Sequence, residues 1–146
     1  MGMFDAINIS ASGLTAQSFR MDVIAQNIAN ANTTRTADGT PYQRRTTLLS
    51  EGRSMRFSDV LAERQGLAAT GSGVRVTETP VDESPFKLQY DPTHPDANEE
   101  GYVEMPNVDI VREYVDMISA SRSYEANITI VNASKKMAAK ALEIGK

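Results

Sequence analysis

Proline placement constrains this chain more than any other feature. All six prolines, Pro41, Pro80, Pro85, Pro92, Pro95 and Pro106, lie in the middle of its 146 residues. Neither 3–32 nor 107–144 contains one. A proline inside a helix costs about 3 kcal/mol, because it removes a backbone donor and its ring clashes with the preceding turn. The two ends are therefore free to be long helices, and the middle is not.

Both ends carry a helical period. Phe4, Ile7, Ala11, Leu14, Ser18, Met21, Ala25 and Ile28 alternate spacings of three and four, with small and large residues in turn. That is a heptad stripe in which small layers allow close helix approach. Such a helix would run roughly 40–45 Å at 1.5 Å per residue. At the other end Ile110, Tyr114, Met117, Ser121, Tyr124, Ile128, Val131, Lys135, Ala138 and Leu142 alternate in the same way, with Ser121 and Lys135 as interruptions. Val111, Val115 and Ile118 widen the stripe toward its start. Asn107 is the expected N-cap, with Asp109 in the first turn where a negative charge meets the helix dipole, and Gly145 the expected stop.

The middle has a different rhythm. Residues 42–49 are rich in β-branched and aromatic side chains, and 73–77 and 86–90 alternate apolar with polar, as half-buried strands do. Residues 101–105 are expected to pair with 86–90 across a turn over 91–100. Residues 55–65 fit either a loop or a helix. Domain limits follow: an N-terminal helix over 1–34, a β-rich or irregular insert over 35–106, and a C-terminal helix over 107–146. The fold class is mainly α with a small β-rich insert, the two long helices paired as an antiparallel coiled coil.

Two paired helices share one contact face, which leaves much of each stripe wet. Asn27, Asn30, Asn32, Asn127 and Asn132 sit beside the stripes, where an amide can hydrogen-bond across an interface. The stripes are therefore expected to complete their packing against neighbouring subunits. The simpler alternative is a monomeric helical hairpin, an adaptor binding one partner through its insert.

Composition removes other classes. Net charge is −4, from 15 Lys and Arg against 19 Asp and Glu, which does not suit binding by phosphate neutralisation. There is no Cys, so disulfides and thiolate metal sites are excluded, and the single His94 excludes a two-histidine site. His94 lies in an Asp-Pro-Thr-His-Pro-Asp turn, which does not suit catalysis. Asp91, His94, Asp96, Glu99 and Glu100 are oxygen-rich enough to hold a hard cation, the basis of a weaker hydrolase alternative. They lack the EF-hand spacing, and the two prolines favour a solvated turn. No phosphate-binding glycine loop is present. The expectation is no enzyme, no cofactor, no nucleic acid and no transmembrane segment. No signal-peptide pattern opens the chain, which taken alone says cytoplasmic but leaves export without a cleaved signal open.

Several blocks carry a family likeness. Met3-Phe4-Asp5-Ala6, residues 12–17 (Ser-Gly-Leu-Thr-Ala-Gln) and residues 25–33 (Ala-Gln-Asn-Ile-Ala-Asn-Ala-Asn-Thr) resemble the N-terminal signature of bacterial flagellar rod and hook proteins. Residues 101–109, residues 119–127 (including Arg122, Tyr124 and Asn127), the segment leading into Lys135-Lys136-Met137, and the turn over 91–100 are similar to the FlgC-type, proximal-rod branch of that axial family. The stretch from about 53 to 73 carries no such likeness. Distal-rod and hook members have much longer middle regions.

The resemblance implies a structural subunit of the flagellar basal-body proximal rod. Such a subunit is exported by the flagellar type III apparatus and polymerises in the periplasm, where the rod transmits torque and encloses the export channel. It implies as partners copies of the chain itself, other proximal-rod proteins, the rod–ring junction protein and the distal-rod protein. The expected assembly interface comprises Phe4, Ile7, Leu14, Met21, Asn27, Ile28, Asn30 and Asn32 at one end. At the other it comprises Ile110, Tyr114, Met117, Ile118, Arg122, Tyr124, Asn127, Ile128, Val131 and Leu142.

Overall fold

A computed structural model describes residues 3–52, 61, 64 and 73–144. The order of elements is α1 (Met3–Ala29), β1 (Leu48–Glu51), β2 (Val74–Glu78), β3 (Lys87–Tyr90), β4 (Tyr102–Met105) and α2 (Ile110–Ile144). The chain is thus mainly α with a small β insert, and its two long helices pack against each other. Of 55–65 the structure describes only Leu61 and Arg64, both helical, and the expected stop at Gly145 falls outside the described residues. Strands β1 and β2 pair with each other, as do β3 and β4.

The chain divides into two compact units. The first comprises 1–19, 49–77 and 120–146, the second 20–48 and 78–119. In the first unit the buried helix positions are small or polar: Ser10, Gly13 and Ala16 on α1, Ala120 and Ser134 on α2. Gly13 sits against Asn127 so closely that a Cβ there would stand 3.0–3.2 Å from the Asn127 amide. The insert docks on α1 through Ser12, whose hydroxyl donates to the Ile9 carbonyl at 2.6 Å and accepts the Val74 amide at 3.0 Å. Gly73 makes that approach possible, because its φ of +95° and the position of the Ser12 hydroxyl leave no room for a side chain.

The core of the second unit is built from Val23, Ile24, Ala31, Val103 and Val108 with Pro41 and Pro106. Hairpin β3–β4 is antiparallel with Leu88 opposite Glu104 and Tyr90 opposite Tyr102, the pairing that the alternation of 86–90 and 101–105 anticipates. Only Val103 of the hairpin is fully enclosed. The turn closes through side chains: the Asn98 Oδ1 accepts the amides of Glu100 and Tyr102 at 3.0 and 2.8 Å. The segment 44–46 bridges antiparallel to 80–82, with Thr46 donating to the Pro80 carbonyl and Asp82 to that of Arg44.

Two local expectations are corrected. Helix α1 stops at Ala29, short of the 1–34 bound expected of the N-terminal helix, and the Asn30 side chain folds back to donate to the Gln26 carbonyl at 2.9 Å. The N-cap of α2 is Asp109, not Asn107. The Asp109 carboxylate accepts the amides of Val111 and Arg112 at 3.0 and 3.4 Å, and the Asp109 carbonyl takes the first helical bond, from Glu113. A carboxylate caps as well as an amide and also complements the dipole. Asn107 is already committed: it accepts the Arg44 amide at 2.8 Å and donates to the carbonyls of Asp82 and Ser84.

Candidate assembly surface

What joins the helices inside the chain is not the apolar stripe. On α1 the enclosed positions Ser10, Gly13, Ile24 and Asn27 fall one residue before the expected row 11, 14, 25, 28, and Ala16 and Val23 are enclosed beside them. On α2 the half-buried row Met117, Tyr124, Val131 and Ala138 coincides with half of the expected stripe. Its companion row is Glu113, Ala120, Asn127 and Ser134, again one residue before the expected 114, 121, 128 and 135. The α1 seam is therefore rotated by about 100°, one residue of a 3.6-residue turn, and the α2 seam by about half as much because one of its two rows is shared. Ser10, Gly13, Ala120 and Ser134 let the backbones approach closely, while Tyr114 and Ile128 are turned outward.

Within the second unit the seam ends in a buried polar network. Asn27 is 1% exposed and uses all four of its hydrogen-bonding positions. Its Oδ1 accepts the Tyr42 hydroxyl and the Arg45 amide, both at 3.0 Å. Its Nδ2 donates to the Arg45 carbonyl at 2.8 Å and to the Glu113 Oε2 at 3.0 Å. Glu113 is fully enclosed, and its Oε1 takes a 2.7 Å charge-assisted bond from the Arg44 Nε. The Arg44 guanidinium also lies 3.6 Å from Asp82 and 3.7 Å from Asp116, and Arg20 reaches Asp116 at 3.3 Å.

Titration follows from these contacts. Burial pushes the Tyr42 hydroxyl above its usual range, with Arg45 opposing and Glu113 adding to the effect. Hydrogen bonds from the hydroxyl and amide of Ser84 hold the Asp82 carboxyl below its usual range, and the Arg44 charge adds to this. In the 91–100 turn the Asp91 carboxyl is likewise held low by the hydroxyl and amide of Thr93. Asp96 accepts the Thr34 hydroxyl at 2.9 Å and lies 3.7 Å from Arg35. Among the described residues no three acidic or histidine side chains converge as a metal site would require.

The sequence-predicted interface positions divide into three groups. Asn27 is enclosed by its own chain, while Asn30 and Asn127 bond to carbonyls one turn back, the latter to Ser123 at 2.9 Å. Ile7, Leu14, Met21, Ile28, Met117, Tyr124 and Val131 are half-buried at the flanks of the seam. Asn32, Ile110, Tyr114, Ile118, Arg122, Ile128 and Leu142 are exposed, and Phe4 lies in the first turn of α1. Val111 and Val115 lie on the same outer face as Ile118 and are 73% and 62% exposed. The network residues Arg44 and Glu113 were not anticipated. Asn27 was noticed as a polar neighbour of the stripe, but partners 18 and 86 positions away leave no periodic signal.

Residues 7–35 match the family described as "Flagella basal body rod protein". Residues 99–144 match that described as "Flagellar basal body rod FlgEFG protein C-terminal". Two helical ends of this kind around a short β insert define a structural protein of the basal-body rod class. The whole chain is 51% identical to the whole of the flagellar basal-body rod protein FlgC of Bacillus subtilis. It is 47% identical to that of Borreliella burgdorferi, covering 99% of this chain and 98% of the relative. It is 41% identical to that of Salmonella typhimurium, covering 99% of each. The chain belongs to the FlgC family of flagellar basal-body rod proteins, and it is not an enzyme. Among the described residues no helix is long and apolar enough to cross a membrane.

Proposed function

We propose that the chain is a subunit of the proximal rod, which polymerises in the periplasm into the drive shaft that transmits torque and encloses the export channel. It reaches that site through the type III export apparatus without a cleaved signal. Its neighbours are copies of itself, the other proximal-rod proteins, the rod–ring junction protein and the distal-rod protein. The helical ends form an inner coiled-coil domain over 1–34 and 107–146, and 35–106 is the insert. In the polymer the expected stripe residues meet adjacent subunits.

The observation that carries this reading is the outer face of α2. Val111, Tyr114, Val115 and Ile118 are 73%, 55%, 62% and 55% exposed, on a helix whose fully enclosed positions, Glu113, Ala120 and Ser134, are small or polar. Contiguous apolar rows of this kind mark interaction sites, whereas scattered exposed apolar residues need no explanation. A carboxylate placed in such a row becomes a buried unpaired charge once a neighbour docks. Leu14→Asp, Val115→Asp and Ile128→Asp are therefore expected to abolish rod assembly and motility while the chain is still synthesised. Intact rods in all three would overturn the proposal.

A further inference from the structure

We infer that residues 42–45, together with Asn27 and Glu113, form a clamp that selects one register of α1 against α2. All of its parts lie in the second compact unit. The clamp reads both helices from one short segment. The Tyr42 hydroxyl and both backbone groups of Arg45 hold the Asn27 amide. The intervening Arg44 holds the other helix, its amide on Asn107 and its guanidinium on Glu113. The Asn27–Glu113 bond closes the ring between the helices.

The seam of the first unit carries its own register-sensitive contact, Gly13 against Asn127. In the second unit the nearest alternative, a slip of one heptad, leaves the Glu113 charge paired. Arg20 lies one heptad before Asn27, so sliding α2 by seven residues would set Glu113 against Arg20 and keep the carboxylate paired. What that register forfeits is the Asn27–Glu113 bond and the grip of Arg44. Buried ionic and amide groups contribute little net stability relative to apolar replacements, and fixing register is their best attested role. This inference concerns one chain alone and does not rest on the rod assignment.

The test uses the full chain, which has no native Cys, with nitroxide labels at Gln26→Cys and Ser119→Cys, two exposed positions of the second unit. Pulsed electron resonance should give one narrow distance. Arg44→Ala is expected to add or substitute a longer distance, because a heptad slip that pairs Arg20 with Glu113 increases the axial offset by about 10 Å. The triple variant Asn27→Leu, Arg44→Met, Glu113→Leu should keep its helical circular dichroism and show more than one distance. A single native distance in both variants overturns the inference. So does loss of helical circular dichroism in Arg44→Ala, since a selector of register is not needed for the helices to form. If the triple variant alone fails to fold, Arg44→Ala decides.

Discussion

Replacing Asn27 by Ala removes four hydrogen bonds from a position 1% exposed. Three have neutral partners and one ends on the Glu113 carboxylate. A neutral bond contributes about 1 kcal/mol net and a bond to a charged group about 2, so the gross loss is about 5 kcal/mol. The truncation also admits water, which re-satisfies part of what is left, and about 3–4 kcal/mol remains. At about 2–4 °C per kcal/mol for a chain of this size, the melting midpoint should fall by about 10 °C. Urea unfolding of the isolated chain, followed by far-ultraviolet circular dichroism, measures the loss. Asn132→Ala, on the exposed face of α2, serves as the control and should change stability by less than about 0.5 kcal/mol. The Tyr42 hydroxyl supplies a second readout, because water entering beside it should bring its alkaline titration down toward the usual value. A loss below about 1 kcal/mol would refute the reasoning, since buried groups deprived of their partner cost more than that.

Gly73→Ala places a Cβ on the Ser12 hydroxyl at a left-handed φ of +95°, so a loss of at least about 1–2 kcal/mol is expected. It should appear as faster exchange of the Val74 amide, which donates to that hydroxyl. Asp82→Asn should flatten the acid side of the stability curve. The folded Asp82 carboxyl lies below its ordinary 3.8, so its stabilisation is complete above that value and is lost as pH falls through the folded one. Thermal melts between about pH 5 and pH 2.5 should therefore fall more steeply in the parent chain than in the variant. Val115→Asp, 62% exposed before substitution, should leave the urea midpoint of the monomer unchanged within error.

Proline placement located both helices, and the alternation of 86–90 and 101–105 located the hairpin with its partner. The period of the helical ends was also legible. Which side of each helix turns inward was not. Leu14 and Ile28 are larger and more apolar than Gly13 and Asn27, so a count of apolar residues favours the wrong row for the intramolecular seam. Close packing favours Gly13, because a Cβ there would stand only 3.0–3.2 Å from the Asn127 amide. The polar network was invisible for a different reason. Glu113 resembles any solvated first-turn glutamate until the chain brings Arg44 back beside it, 69 positions away in sequence. Asp109 displaced Asn107 as cap on the same grounds, since the Asn107 amide is claimed by the backbone of Arg44, Asp82 and Ser84, which no local pattern announces.

The one-residue rotation between seam and stripe has a consequence for genetics. Substitutions scored for the stability of the lone chain should cluster at positions such as 13, 24, 27, 113 and 120. Substitutions scored for swimming should mark those and, in addition, the rows at 14, 28, 114 and 128. Subtracting the first map from the second would leave a band beside the seam on each helix, about 100° around on α1 and about half that on α2. Variation there would alter how subunits recognise one another while leaving the individual fold untouched.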